Sequence, residues 1–322
     1  MKKHALTLAT LLAIYSTAAL AQGSTSTESS NLYQHDISAE LSTTNDDFGD
    51  GLYGINYRYY FTPVATDKGP YALSSFLAQT SNLGGGVQQA STFNDTTSYH
   101  IDGRYVFDSK WYVSAGYSLL DYDDEPNFGD GRDNSSAYGI GAGYYINDTT
   151  DISTSYWTSS ESSSDSNYFD ESDIKSYNVD IRSFIPLEAF SGIYLNGGLN
   201  YVEYDFENGF TSGDFSSYSN GDTETTTLLL AADWYITPSW SVGAAQAWSW
   251  SKGNYQYGSS YYDSAEGEHE SDSSILSLST RYWWQISQHF SAQFSLSKSF
   301  VSEDDNDDDD AFGIGIEVNA RL

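Results

Sequence analysis

Phe312-Gly313-Ile314-Gly315-Ile316-Glu317-Val318-Asn319-Ala320-Arg321-Leu322 closes the chain, and the period of this stretch decides the fold. Successive side chains of an extended strand point to opposite sides. Phe312, Ile314, Ile316, Val318, Ala320 and Leu322 therefore share one apolar face, and Gly313, Gly315, Glu317, Asn319 and Arg321 share the other. A terminal tail ordinarily frays. Alternation carried to the last residue is instead expected of a strand held by neighbours on both sides, as at the seam of a barrel.

Working back from that end, most of the chain reads as segments of roughly ten residues that are apolar or aromatic at every second position, the length and period of a transmembrane β-strand. About fourteen can be counted, within a range of roughly 12 to 16. Their connections alternate in length. Short links fall at Asp108-Ser109-Lys110, Asn147 to Thr150, Thr237-Pro238-Ser239 and Ser287-Gln288-His289, with slightly longer ones from Pro63 to Gly69 and Pro186 to Ser191. Long polar stretches separate them: Asn45 to Asp50, Asn82 to Thr96, Asp123 to Asn134, Ser160 to Asp173, Glu207 to Asp222, Lys252 to Asp272 and Ser302 to Asp310. Short periplasmic turns opposite long outer loops are what a membrane barrel requires. A soluble sandwich or propeller, which composition alone leaves open, has no reason to keep that parity.

The strands that enter the short turns repeat one another. Asn56-Tyr57-Arg58-Tyr59-Tyr60-Phe61, Asp102-Gly103-Arg104-Tyr105-Val106-Phe107, Asp180-Ile181-Arg182-Ser183-Phe184-Ile185 and Ser279-Thr280-Arg281-Tyr282-Trp283-Trp284 share an arginine, while Ala142 to Ile146 and Ala232 to Ile236 keep the pattern without it. Period two puts Arg58, Arg104, Gly143, Arg182, Asp233 and Arg281 on one face and Tyr59, Tyr105, Tyr144, Trp234 and Tyr282 on the other. The aromatic set is expected to form a girdle at the periplasmic headgroup level. The charged set, with Asp102 and Asp180 two residues ahead of their arginines, is expected to line the lumen. There these side chains either hold the wall by pairing with one another and with neighbouring strands or meet a solute, and the two roles are compatible.

Composition fits a wet barrel. Aromatic residues make up 16% of the chain and Tyr alone 28 positions, yet the hydrophobic fraction is only 39% and the mean hydropathy is -0.48. A helical membrane protein would be far more apolar, whereas a barrel strand shows lipid only every second side chain. The N-terminus carries Lys2 and Lys3, an apolar run from Leu6 to Ile14 and Ala19-Leu20-Ala21, the layout of a secretory signal. The run is shorter than the roughly 20 residues of a spanning helix. Residues 1–21 are thus expected to be a signal peptide, 22–32 a short periplasmic linker and 33–322 the barrel. The count of 0 Cys excludes disulfides. The formal charge of -32 argues against nucleic acid as a partner, because phosphate binding needs a basic face.

The signal, the aromatic strand ends, the loop parity and the terminal strand together give a chain that resembles the porins of Gram-negative outer membranes over nearly all its mature length. The resemblance implies a transmembrane antiparallel β-barrel that passes small hydrophilic solutes or ions and sits among outer-membrane lipid and lipopolysaccharide. Two features depart from the pattern. The last residue is Leu322 where such barrels usually end in Phe, and about fourteen strands is fewer than the sixteen or so of trimeric general porins. Trimerisation and an inward constriction loop are therefore not carried over, and the oligomeric state stays open.

No catalytic site, cofactor site or metal site is expected. His35, His100, His269 and His289 lie among so many serines that proximity to one carries no information. The run from Glu303 to Asp310 lacks the glycine and the spaced terminal Glu of a calcium loop, so it reads as a solvated outer loop. The polar stretch from Gln22 to Asn31 is too small for a transporter's hatch, which implies an open lumen. Acidic outer loops around its mouth imply a preference for cations. The alternative function is a barrel that acts by its surface, as an adhesin or anchor, without transport.

Overall fold

The computed structural model of the chain describes residues 32–44, 51–90, 96–122, 134–165, 167–287, 289–303 and 309–322. The expected signal segment, the linker up to residue 31 and the stretches 45–50, 91–95, 123–133 and 304–308 lie outside them. The strands are β1 (Leu32–Thr44), β2 (Gly51–Ala65), β3 (Asn82–Ala90), β4 (Thr96–Val106), β5 (Trp111–Tyr122), β6 (Asn134–Asn147), β7 (Thr150–Asp165), β8 (Tyr168–Ile185), β9 (Gly192–Ser212), β10 (Phe215–Thr237), β11 (Trp240–Ser259), β12 (Tyr262–Gln285), β13 (Phe290–Glu303) and β14 (Asp309–Arg321). Each pairs with the next, and β1 meets β14 antiparallel from Asp36 opposite Arg321 to Thr44 opposite Gly313. The barrel is closed, so every strand has partners on both sides and no open edge faces lipid.

The terminal strand seals that seam as its period requires. Phe312, Ile314, Ile316 and Val318 are exposed on the outer face, while Glu317, Asn319 and Arg321 are buried on the lumenal one. An arginine on the lipid face near mid-bilayer costs about 2 to 4 kcal/mol. Ile316→Arg should therefore lower the fraction of chain that refolds to a heat-modifiable barrel on gels, while Glu317→Gln leaves it unchanged. Equal refolding of the two would place the lipid face elsewhere.

The aromatic girdle surrounds the short-turn end. Tyr105 packs on Phe107 at 4.9 Å, Trp111 on Tyr144 at 5.1 Å, Phe190 on Trp234 at 5.0 Å and Tyr59 on Phe61 at 5.5 Å between ring centroids.

The expected loop assignments are corrected in three respects. Asn82 to Ala90 is not loop but β3, bonded between β2 and β4. Its run Gly84-Gly85-Gly86 carries no hydrophobic alternation and so hides the strand. The stretches Ser160 to Asp173, Glu207 to Asp222 and Lys252 to Asp272 are largely the paired tips of β7 to β12. Both faces of these tips meet water, so the apolar period lapses while backbone pairing continues. β10 and β12 reach 23 and 24 residues, about ten more than a bilayer needs. At about 3.4 Å per residue and the usual tilt, this wall rises roughly 25 Å above the membrane.

The third correction concerns the link after Pro63. β2 runs on to Ala65, and the chain then forms a 3-10 turn at Tyr71–Leu73 and a helix, α1 (Ser74–Ala78), before β3. Ala72, Leu73, Phe76 and Leu77 recur at helical rather than strand spacing and all are buried. Pro70 precedes the first turn, the Ser74 hydroxyl donates to Tyr71 O at 2.6 Å, and Gln79 ends the helix with a left-handed φ of 49°.

Candidate functional site

Two lumenal layers meet at the periplasmic end, and the repeated strand motif builds both. On five of the six motif strands a charged or small residue points inward, and two positions further the next inward residue is aromatic: Arg58 and Tyr60, Gly143 and Tyr145, Arg182 and Phe184, Asp233 and Tyr235, Arg281 and Trp283; after Arg104 it is Val106. The upper layer is a belt of ion pairs. The lower layer is an aromatic socket.

In the belt, Arg58 binds Asp102 with two parallel bonds of 2.8 Å and donates a third to Asn82 Oδ1 at 2.6 Å. The pair spans β3, whose Gly84 stands between the partners. A Cβ there would come within 2.8 Å of the Arg58 guanidinium carbon, so glycine is what lets the side chains cross. Gly243 of β11 leaves room for the Asp233 carboxylate, which pairs with Arg281 at 3.5 Å between charges. Arg182 donates to Asp151, in direct register on β7, through Nε at 3.0 Å and Nη2 at 2.5 Å, and the Tyr112 hydroxyl donates to the same carboxylate at 2.9 Å. Arg321 donates from Nε to Asp36 at 3.1 Å across the seam. Arg104 has no carboxylate partner among the described residues; it donates to the Tyr145 hydroxyl at 3.2 Å and lies 4.4 Å over the Tyr112 ring.

Arg58, Arg104, Arg182, Arg281, Asp102, Asp180 and Asp233 lie at the inward parity of their strands. Their pairing differs from the sequence pattern. Asp102 does not pair with Arg104, nor Asp180 with Arg182, although each couple shares a face two residues apart. Side chains on adjacent strands stand closer than those two residues along one strand, so Arg182 takes Asp151, and Asp180 forms no ion pair among the described residues. Asp151, Asp36, Arg321 and Glu40 complete the belt and its surroundings. Inward parity was the signal that could have found them.

The socket holds α1 and the turn before it, so chain occupies part of the lumen at this end. Ala72, Leu73, Phe76 and Leu77 pack in one buried cluster with Phe184, Tyr194, Tyr235 and Trp283, on the wall opposite β2 and β3. The Phe76 ring meets Tyr194 edge-on at 5.8 Å and the Arg182 guanidinium at 5.1 Å. Tyr33, Tyr60 and Val64 form a second cluster touching Ala78. The segment is tied to the turns by Tyr71 N donating to Pro238 O at 3.1 Å and Gln79 Nε2 to Asn147 O at 2.7 Å. Burial pushes the Tyr71 phenol up, opposed by its hydrogen bond with Ser239, so it docks uncharged at neutral pH. The expectation of a lumen without a plug is therefore corrected: a plug of a few residues comes from the β2–β3 connection.

Above the belt the lumen is polar. Thr225 and Ser251, Thr227 and Ser249, and Ser277 and Ser299 bridge neighbouring strands at 3.0, 2.9 and 2.8 Å, and Asn200 donates to Ser176 and Asn178. His35 lies on the outer face bonded to Tyr57, His289 contacts Arg321 O in a turn, and His100 and His269 face the lumen. Among the described residues no histidine ring is hydrogen-bonded to a serine.

A closed antiparallel barrel of fourteen strands with an apolar outer face, an interfacial girdle and a polar lumen is an outer-membrane β-barrel. The chain belongs to the porin family described as "putative general bacterial porin", whose model matches residues 1–319. Its place is the outer membrane. Among solved structures, outer membrane protein Omp33 of Acinetobacter baumannii is 17% identical, with 91% of this chain and 100% of that one covered and a TM-score of 0.49. A loop-deletion form of OmpT, an outer membrane protein of Vibrio cholerae, is 10% identical over 89% and 98%, with a TM-score of 0.40. The siderophore receptor PiuA of Acinetobacter baumannii is 10% identical over 87% of this chain and 50% of its own, at 0.44. No curated protein sequence matches the chain.

Proposed function

We propose that this porin-family barrel is a passive diffusion channel for small hydrophilic solutes and ions, preferring cations, whose periplasmic mouth is closed by the docked segment Tyr71–Ala78. The observation that carries this reading is the polar lumen above a plug held by one short apolar segment: the wall needs no polar lining to be stable, and the plug is small enough to undock. The charge balance near the belt supports the cation preference. Four Arg–Asp pairs cancel, which leaves Arg104 against Asp180 and Glu40. Charge of one sign in a low-dielectric opening concentrates counter-ions, and salt weakens this as the Debye length shrinks from about 30 Å at 0.01 M to about 3 Å at 1 M.

Purified protein in a planar bilayer should give discrete conducting steps, and a KCl gradient at low ionic strength should give a cation-selective reversal potential that fades as salt rises. A reversal potential of the opposite sign would assign permeation to the arginines. A folded barrel that never conducts favours surface action, and one feature suits that second reading. The tips of β8 to β12 rise above the bilayer and expose Tyr168, Phe169, Phe210, Tyr218, Tyr257 and Tyr261, which lipopolysaccharide or another surface can contact.

A further inference from the structure

Above the membrane the wall of β9 to β12 sorts its side chains by face. The strands pair there in unbroken register as far as Tyr257, so the parity of the lipid-facing band carries up into the wall. Carboxylates take the outward parity of Leu199 and Leu276: Glu203, Asp205 and Glu207 on β9, and Glu266, Glu268 and Glu270 on β12. Aromatic rings take the inward parity of Asn200, Thr225 and Ser251: Tyr204, Phe206 and Phe210 on β9, Phe215 on β10, and Tyr255 and Tyr257 on β11.

One register row alternates ring and glycine across these four strands: Phe206, Gly221, Tyr255 and Gly267. A Cβ on Gly221 would come within 2.8 Å of the Phe206 ring, and one on Gly267 within 2.3 Å of the Tyr255 ring. Each ring therefore leans over bare backbone and lies down on the sheet, turning a face to the lumen. Neighbouring rings extend the strip. Tyr204 stacks with Phe206 at 5.8 Å with planes 23° apart, Tyr257 with Tyr255 at 6.4 Å and 12°, and Tyr261 with Phe215 at 5.6 Å and 15°. Covering a glycine steadies a sheet, which accounts for Phe206 and Tyr255. It does not account for Tyr257, which stands between Ser219 and Ala265 and is 53% exposed, nor for Phe210, between Tyr168 and Ser217. A contiguous exposed apolar strip of this kind marks an interaction site.

The surrounding side chains select the occupant. From Tyr204 to Ser212, Phe215 to Thr225 and Ser251 to Ser259 the inward parity holds no charged residue, and the rings alternate with Asn208, Ser217, Ser219 and Thr223. A charged solute gains nothing from such a face. A neutral one with flat apolar faces and a polar rim matches it, and a pyranose is built that way: its C–H faces lie on aromatic rings while its hydroxyls bond with serine, threonine and asparagine. We infer that this strip is a binding track for a neutral oligosaccharide entering from outside the cell. A glycolipid beside the barrel meets the outward, acidic face instead. The track rests on the channel reading in that its solute passes on into the lumen.

Saturation-transfer NMR of the purified full-length barrel in lipid nanodiscs tests this, with maltotetraose as the probe and the acyclic polyol sorbitol as the control. Transfer to the ring protons of maltotetraose is expected, and none to sorbitol. Phe206→Ser combined with Tyr255→Ser should weaken binding about fivefold or more, since each stacked ring contributes on its own. Tyr218→Ser, which removes an outward aromatic of β10, should leave it unchanged. Tyr257→Ser, which uncovers no glycine, is the second lumenal variant, used if the first fails to fold. Absence of transfer to maltotetraose, undiminished transfer in a folded lumenal variant, an equal loss in Tyr218→Ser, or transfer to sorbitol would each overturn the inference. Conductance on the same preparation separates the two readings. A conducting barrel that ignores maltotetraose removes the track and leaves the channel, while a silent barrel that binds it removes the channel and leaves the track.

Discussion

Phe76→Ala and Leu77→Ala together should convert a barrel that conducts in rare or small steps into one that is open most of the time. Both side chains are buried in the socket with Phe184, Tyr194, Tyr235 and Trp283. Truncating a buried Phe costs about 3 to 5 kcal/mol and a buried Leu about 2 to 5 kcal/mol. Moving a two-state element from 1:99 to 99:1 needs about 5.5 kcal/mol, so the pair of truncations is enough to invert a closed population. The two ties to turn carbonyls, Tyr71 N to Pro238 O and Gln79 Nε2 to Asn147 O, contribute roughly 0.5 to 1.5 kcal/mol each and cannot hold the segment alone. The wall itself is unaffected, because α1 contributes no rung to the closed ladder. Single-channel recording of the wild type and the double variant reads the result directly. A folded double variant with unchanged step size and open fraction would mean that Tyr71–Ala78 does not govern the pore.

The barrel was legible because lipid imposes a rule on every residue that crosses it. Apolar at one parity and polar at the other, strands such as Phe312 to Leu322 announce themselves, and the short turns mark where they reverse. That rule lapses where both faces are wet or the backbone is crowded. The tips around Ser212 and Phe215 carry Ser, Asp and Tyr at both parities, so the sequence there looks like loop although the strands still pair. At Gly84-Gly85-Gly86 the requirement is for space to let Arg58 cross to Asp102, and space leaves no hydrophobic signature. The plug was hidden by scale. Leu73, Phe76 and Leu77 recur at helical spacing for little more than one turn, too short to stand out against strands at period two. In the belt, inward parity located each arginine but not its partner, because partners are chosen by register between strands, which a single strand does not display.

Breaking Arg182–Asp151 should destabilise the barrel more than breaking Arg58–Asp102. The Asp151 side chain is 1% exposed and that of Arg182 15%, whereas those of Arg58 and Asp102 are 30% and 36% exposed. Removing one partner of a buried pair leaves an uncompensated charge and costs about 3 to 5 kcal/mol, while a pair that water can reach is worth about 0 to 1 kcal/mol. Asp151→Ala should therefore lower the urea midpoint of the lipid-embedded barrel well below that of Asp102→Ala, even though both carboxylates bind their arginine through two oxygens. Asp151→Ala also frees the Tyr112 hydroxyl from its acceptor and loosens the guanidinium that lies over Phe76. Loss of the pair should accordingly raise the open fraction of the pore as well. The charge argument is tested by Asp151→Ala combined with Arg182→Met, which removes the stranded cation while keeping a long apolar side chain near the Phe76 ring. Replacing a whole buried pair by apolar groups is often close to neutral, so the double variant should recover most of the lost midpoint. If instead it is as unstable as Asp151→Ala, or if Asp151→Ala and Asp102→Ala unfold together, burial does not set the strength of the belt.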